Sequence, residues 1–138
     1  MALLIAYDGS APSENAVEHA IAEHPDKEII LLHVVEVPGG ATSASFGLLK
    51  EEIKDARGEP KDRISSEIRN RLKEAGIDFQ IEIAFGQPAR EIVNFAEEND
   101  IEHILIGNHG RSGVSRVLLG SVAEKVVRRA PMPVTVVR

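Results

Sequence analysis

Short apolar runs alternate with helix-patterned stretches along the chain, and this alternation does most to limit the folds open to it. Leu3-Leu4-Ile5-Ala6-Tyr7 is a continuous apolar run that stops at Asp8-Gly9-Ser10, the pattern of a strand covered on both faces. Pro12 is tolerated in a first helical turn, and Ala16, Val17, Ala20 and Ile21 then recur at three- and four-residue steps before Pro25, which predicts an amphipathic helix. Glu28 to Val35 reads as a second buried strand, ended by Pro38-Gly39-Gly40 and a loop. From Leu48 to Ala75 the pattern is helical, with Ile64, Ile68 and Leu72 on one stripe and a break or kink expected near Gly58 and Pro60. Gly76 is placed to cap that helix. Ile77, Phe79, Ile81, Ile83 and Phe85 alternate with Asp78, Gln80, Glu82 and Ala84, which predicts a strand partly facing water, at a sheet edge. Pro88 to Asn99 is a further helix, His103 to Ile106 a fourth strand, Ser121 to Ala130 a helix, and Val134 to Val137 a fifth strand after the breakers Pro131 and Pro133.

Strands and helices in alternation imply parallel pairing through right-handed crossovers, with helices on both faces of the sheet. The expected class is therefore α/β, a doubly wound five-stranded parallel sheet. Ligands in such sheets bind beyond the carboxyl ends of the strands, where the strand order reverses. The loops after strands one and four, which hold Asp8 and Gly107, are the places to search. The 138 residues show no internal repeat or linker, so one domain over 1–138 is expected.

Charge narrows the function classes. The net charge of −6 argues against a sequence-tolerant nucleic-acid binder, which gains affinity by neutralising phosphates. That average hides a split: residues 107–138 carry six basic groups against the single acid Glu124. A basic final quarter on an acidic body suits a local site for a small anion. The apolar run at the N-terminus is too short to cross a bilayer, so no membrane role is expected. The absence of cysteine excludes disulfides and zinc-thiolate sites and suits a reducing cytoplasm.

The loop after strand four reads Gly107-Asn108-His109-Gly110-Arg111-Ser112-Gly113, and the next helix opens with Gly120-Ser121-Val122. Glycines let backbone N–H groups turn toward a phosphate, a helix start offers unsatisfied donors at a positive dipole end, and Ser121 adds a hydroxyl. Arg111 and Arg116 could supply charge. On spacing alone a second reading stands beside this one: the glycines make a turn, and Ser121-Val122-Ala123-Glu124 is a capping box. Asp8 likewise has two readings, a ligand-facing carboxylate at a strand end or an Asx turn ahead of a helix. The five histidines have no metal-assembling spacing. His33, inside an apolar strand, reads as a packed core residue. Arg128 and Arg129 fall where cations complement a helix dipole, and Glu97-Glu98-Asn99-Asp100 reads as a solvated face.

Gly107-x-x-Gly110, nine residues, then Gly120-Ser121 resembles the nucleotide-binding signature of the ATP-binding branch of the universal stress proteins. The resemblance extends from Tyr7-Asp8-Gly9-Ser10 through Leu31-Leu32-His33-Val34 to Pro131-Met132-Pro133-Val134, essentially the whole chain. It implies an adenine nucleotide alpha hydrolase-like sheet of strand order 3-2-1-4-5, with ATP, together with Mg²⁺, as the cofactor. By the same resemblance Ala6, Tyr7, Asp8 and Val34 line the base and ribose, and Ile106 and Gly107 continue that wall. Gly110, Arg111, Ser112, Gly113, Gly120, Ser121 and Val122 meet the phosphates. Ala6 departs from relatives that carry proline there, but a small residue leaves the space open.

The implied function is a nucleotide-sensing regulatory module. Its competitors are a slow ATPase or phosphotransferase using the same pocket and a dimerisation scaffold that has lost nucleotide. The chain has no Gly-x-x-x-x-Gly-Lys-Ser/Thr loop, which favours binding over turnover. A receiver-like signalling domain is disfavoured, because the places of its acidic pair, phosphorylated Asp and Lys hold Asp8 alone, Phe85-Gly86 and Arg138. The apolar last strand would expose unpaired backbone as a sheet edge, and the resemblance implies a homodimer that covers it. The loop over 37–46 could close on the nucleotide as a lid.

Overall fold

The computed structural model describes residues 2–36, 66–108 and 119–138. In chain order these form β1 (Ala2–Ala6), α1 (Ala11–Glu23), β2 (Glu28–Glu36), α2 (Ser66–Glu74), β3 (Phe79–Gly86), α3 (Pro88–Glu98), β4 (Ile101–Gly107), α4 (Ser121–Arg129) and β5 (Val134–Val137). The strands pair in parallel in the order β3-β2-β1-β4-β5, as expected. The loop over 37–46 and the first part of the helical pattern expected from Leu48 lie outside the described residues.

Side-chain alternation along the central strands builds two cores, one on each face. Leu3, Ile5, Ile29, Leu31 and Leu105 pack against Ala16, Val17 and Ala20 of α1 and Ile68 and Leu72 of α2. Leu4, Ile30, Leu32, Ile104 and Ile106 pack against Ile92, Val93 and Ala96 of α3 and Ala123 and Val126 of α4. Strands apolar on both sides are what such a sandwich demands. β3 lies at an edge and is half-buried along most of its length, in keeping with its alternating sequence.

The helix ends follow local chemistry. Ser10 caps α1, its side chain accepting the N–H of Ser13, and Pro12 sits in the first turn. α2 is closed off by Gly76, two residues past its end, whose φ of +71° is the left-handed cap conformation, with Ile77 N–H returning to Leu72 C=O at 3.1 Å.

Away from the carboxyl ends of the strands, His103 of β4 lies between Thr135 of β5 (Nε2 to Oγ1, 2.6 Å) and His24 after α1 (ring centroids 5.6 Å apart). Burial first, then the neighbouring His24, holds its pKa below the usual histidine value. The unfolded chain therefore takes up this proton first as pH falls through about 6.5, so stability is full above that value and declines below it until folded His103 also titrates. Thermal melts should show a midpoint falling between about pH 7 and 5, with a shallower fall in His103→Gln. Glu102, held low chiefly by its hydrogen bond from Lys27, acts in a separate window below about pH 4.5.

Candidate functional site

β1 ends before its neighbour does. The last bond from the β1 side goes from Tyr7 N–H to Leu32 C=O at 2.9 Å, while β2 runs on to Glu36. This leaves a notch at the carboxyl end of the sheet, where the chain leaves β1 and β4 toward opposite faces. A cleft of about 360 Å³ opens there, within the range of small-molecule sites. All nine described residues singled out from the sequence line it: Ala6, Tyr7, Asp8, Val34, Ile106, Gly107, Gly120, Ser121 and Val122. Gly110, Arg111, Ser112 and Gly113 lie outside the described residues, as do His109 and Arg116.

The start of α4 separates the two readings of Gly120-Ser121. A capping box would make Ser121 the cap and Glu124 its reciprocal partner at the third helical position. Instead Gly120 is the N-cap, with φ −63° and ψ 158°, and it has no side chain to cap the amides that follow. Ser121 is then the first helical residue, and Glu124 turns away to pair with Arg128 at 2.8 Å. The amides of Ser121, Val122 and Ala123 have no intrahelical acceptor by helix geometry, and all three residues line the cleft. An uncapped N-terminus facing an open cleft is suited to an anion.

Asp8 keeps something of both readings. Its Oδ1 accepts from the N–H of Ser10 at 3.0 Å and from the Ser10 hydroxyl, an Asx turn that leads into α1. The residue is nonetheless exposed and borders the cleft. His33 sends Nδ1 to the Tyr7 carbonyl at 3.1 Å, while its Nε2 is buried without a partner. It thus braces the end of β1 from the α1 side of the sheet, in line with its reading as a packed residue.

Gly107 is a glycine for a reason that concerns packing. A Cβ there would lie 2.5 Å from the carbonyl carbon of Pro12 and 2.7 Å from the Ser13 nitrogen, so the first turn of α1 rests directly on the end of β4. That contact holds the Asp8–Ser13 turn beside the end of β4.

Several residues of the cleft escape a reading of the sequence alone. Pro88 and Ile92, on the first turns of α3, close it from the sheet face that carries α4, with Leu32 beneath. Glu36, exposed at the end of β2, gives the cleft a second carboxylate, and Ser13 is almost wholly buried beside Asp8. The i, i+4 spacing of Pro88 and Ile92 at the start of a helix after strand three was the available signal.

Among the described residues no group of three His, Asp or Glu side chains could hold a metal ion, and no helix is long and apolar enough to cross a membrane.

The model of the universal stress protein family matches residues 1–138. Universal stress protein MJ0531 of Methanocaldococcus jannaschii is 36% identical over 141 residues, covering 99% of this chain and 81% of the relative. The solved structure of MJ0577 from the same organism superposes with a TM-score of 0.76 at 31% identity, over 98% of this chain and 93% of that one. A universal stress protein from Archaeoglobus fulgidus, solved in complex with dAMP, shares the fold at a TM-score of 0.65 and 22% identity, over 100% and 98% of the two chains. A full-length family match, a relative more than one-third identical and the shared sheet agree that this chain belongs to the universal stress protein family.

Proposed function

We propose that this protein is a nucleotide-sensing regulatory module of the cytoplasm that binds ATP in the cleft at the carboxyl end of β1, β2 and β4. The observation that carries this reading is the uncapped start of α4 opening into the same cleft as an apolar notch. Phosphates need the first; a purine needs the second.

The base sits against Ala6, Val34 and Ile106. In a parallel ladder alternate residues direct their N–H and C=O groups to the same side, so Val34, two residues beyond Leu32, turns its backbone toward the space that β1 has vacated. That offers the adenine edge one donor and one acceptor. Asp8 takes the ribose side, and Gly107 completes the wall. The phosphates lie over Gly120, Ser121 and Val122, with Gly110, Arg111, Ser112 and Gly113 of the intervening loop as further contacts. Mg²⁺ arrives with the nucleotide, held by phosphate oxygens and water rather than by a protein cage. The dAMP complex of the A. fulgidus relative supports an adenine nucleotide as the ligand class.

Backbone donors and an apolar wall are devices for holding a ligand, so binding is favoured over turnover. Calorimetric titration of nucleotide-stripped protein with ATP, with and without Mg²⁺, tests this. Saturable binding is expected. No heat at millimolar ATP would make the glycine loop a structural turn, and phosphate release that vanishes in Asp8→Ala would make the protein an ATPase.

The protein works as a homodimer through its C-terminal strand. β5 is a four-residue edge strand, Val134 to Val137, apolar but for Thr135, and Val127 and Leu119 are exposed on the described surface. Sedimentation at micromolar concentration should give a dimer, and a monomer there would count against it.

A further inference from the structure

Asn108 is one of two polar residues buried in the described part of the chain, with only 8% of its surface exposed. Its position is fixed through its backbone, whose N–H donates to the Val137 carbonyl at 2.7 Å, the end of β5. Its side chain reaches the start of α4, where Oδ1 accepts the N–H of Gly120 at 2.9 Å. Residues 108 and 120 are the two ends of the loop, twelve positions apart in sequence. Gly120 is also the N-cap that sets the direction of the first amides of α4.

We infer that Asn108 is a positioning residue of the phosphate site: its side chain clasps the loop at its base and aims the α4 amides into the cleft. The inference rests on the nucleotide reading above. A buried acceptor facing a fixed backbone donor costs little to organise at the moment of binding, because the chain has already ordered both groups on folding. The clasp ties the start of α4 directly to the end of β4, and its loss frees that start to move. Each nucleotide must then order the helix start, and the cost falls on the phosphates and not on the base.

The test compares ATP with adenosine, which carries the base and ribose but no phosphate. In Asn108→Ala the ATP dissociation constant should rise about five- to tenfold, the size of one lost neutral hydrogen bond, while that of adenosine stays within about twofold. Amide hydrogen exchange at Gly120 should quicken in the same variant. A purely structural role would lower the melting temperature and leave the ratio of the two affinities unchanged, and that result overturns the inference. Should Asn108→Ala fail to fold, Asn108→Ser keeps a polar group in the site but carries its oxygen on a side chain one atom shorter, drawn back from the Gly120 N–H, and the same ratio decides. A parent chain that binds neither ligand overturns the nucleotide reading, whereas a parent that binds both and a variant with an unchanged ratio overturns the clasp alone.

Discussion

A Ser121→Asp chain should melt no earlier than its parent and yet lose most of its affinity for ATP. Ser121 is the exposed first residue of α4, and the N-cap ahead of it is a glycine with no side chain to cap the helix. A carboxylate there meets the positive end of the helix dipole and unsatisfied amides, which stabilises by about 0.3–1 kcal/mol. The same charge occupies the place of a phosphate and repels the rest of the triphosphate. Two unit charges about 4 Å apart near a protein surface interact by about 4 kcal/mol. Allowing for the exposure of this site, a loss of about a hundredfold in ATP affinity is expected, with adenosine little affected. The opposite signs of the two effects matter: a serine that merely began a helix would gain stability from the change and lose nothing. Thermal melts and calorimetry on one preparation check both, and unaltered ATP binding would remove Ser121 from the site.

Gly107→Val should have the largest effect on stability. The first side-chain carbon would overlap the backbone of Pro12 and Ser13 at 2.5–2.7 Å. Backbone on both sides cannot be relieved by a rotamer change, so α1 must lift at its start. Overpacking of this kind costs about 2–3 kcal/mol, which for a chain of this size lowers the melting temperature by about 10 °C. Displacing the first turn of α1 also moves the Ser10 and Ser13 contacts that hold Asp8, so ATP affinity should fall in the fraction that remains folded. Gly107→Ala should show both effects in smaller measure. Melting unchanged by the valine would mean that α1 does not rest on β4 as described.

The fold was legible because its signals are local. Leu3 to Ala6 and Ile29 to Leu32 are apolar at every position, which only a strand covered on both faces requires, and Ala16, Val17 and Ala20 mark one stripe of a helix. The frame of the site was legible because glycines and a helix start follow a strand end. What stayed hidden depends on distance or on single-residue boundaries. Gly107 is explained by Pro12, ninety-five positions away in sequence, and spacing within a loop carries no trace of that contact. The capping-box alternative turned on whether α4 begins at Gly120 or Ser121, a shift of one residue that periodicity does not resolve. Asn108 stands among glycines in sequence, and nothing there ties its side chain to Gly120, twelve positions on. Pro88, Ile92 and Glu36 join the cleft only because α3 and the overhanging end of β2 are folded over the notch.

The most direct test of nucleotide binding in this cleft is a titration of ¹⁵N-labelled protein with ATP, followed amide by amide. Saturable shifts are expected at Ser121, Val122 and Ala123 together with Val34 and Ala6, with little change around His24 and His103 toward the other end of the sheet. Shifts confined to that other end, or none at the α4 amides at millimolar ATP, would contradict it.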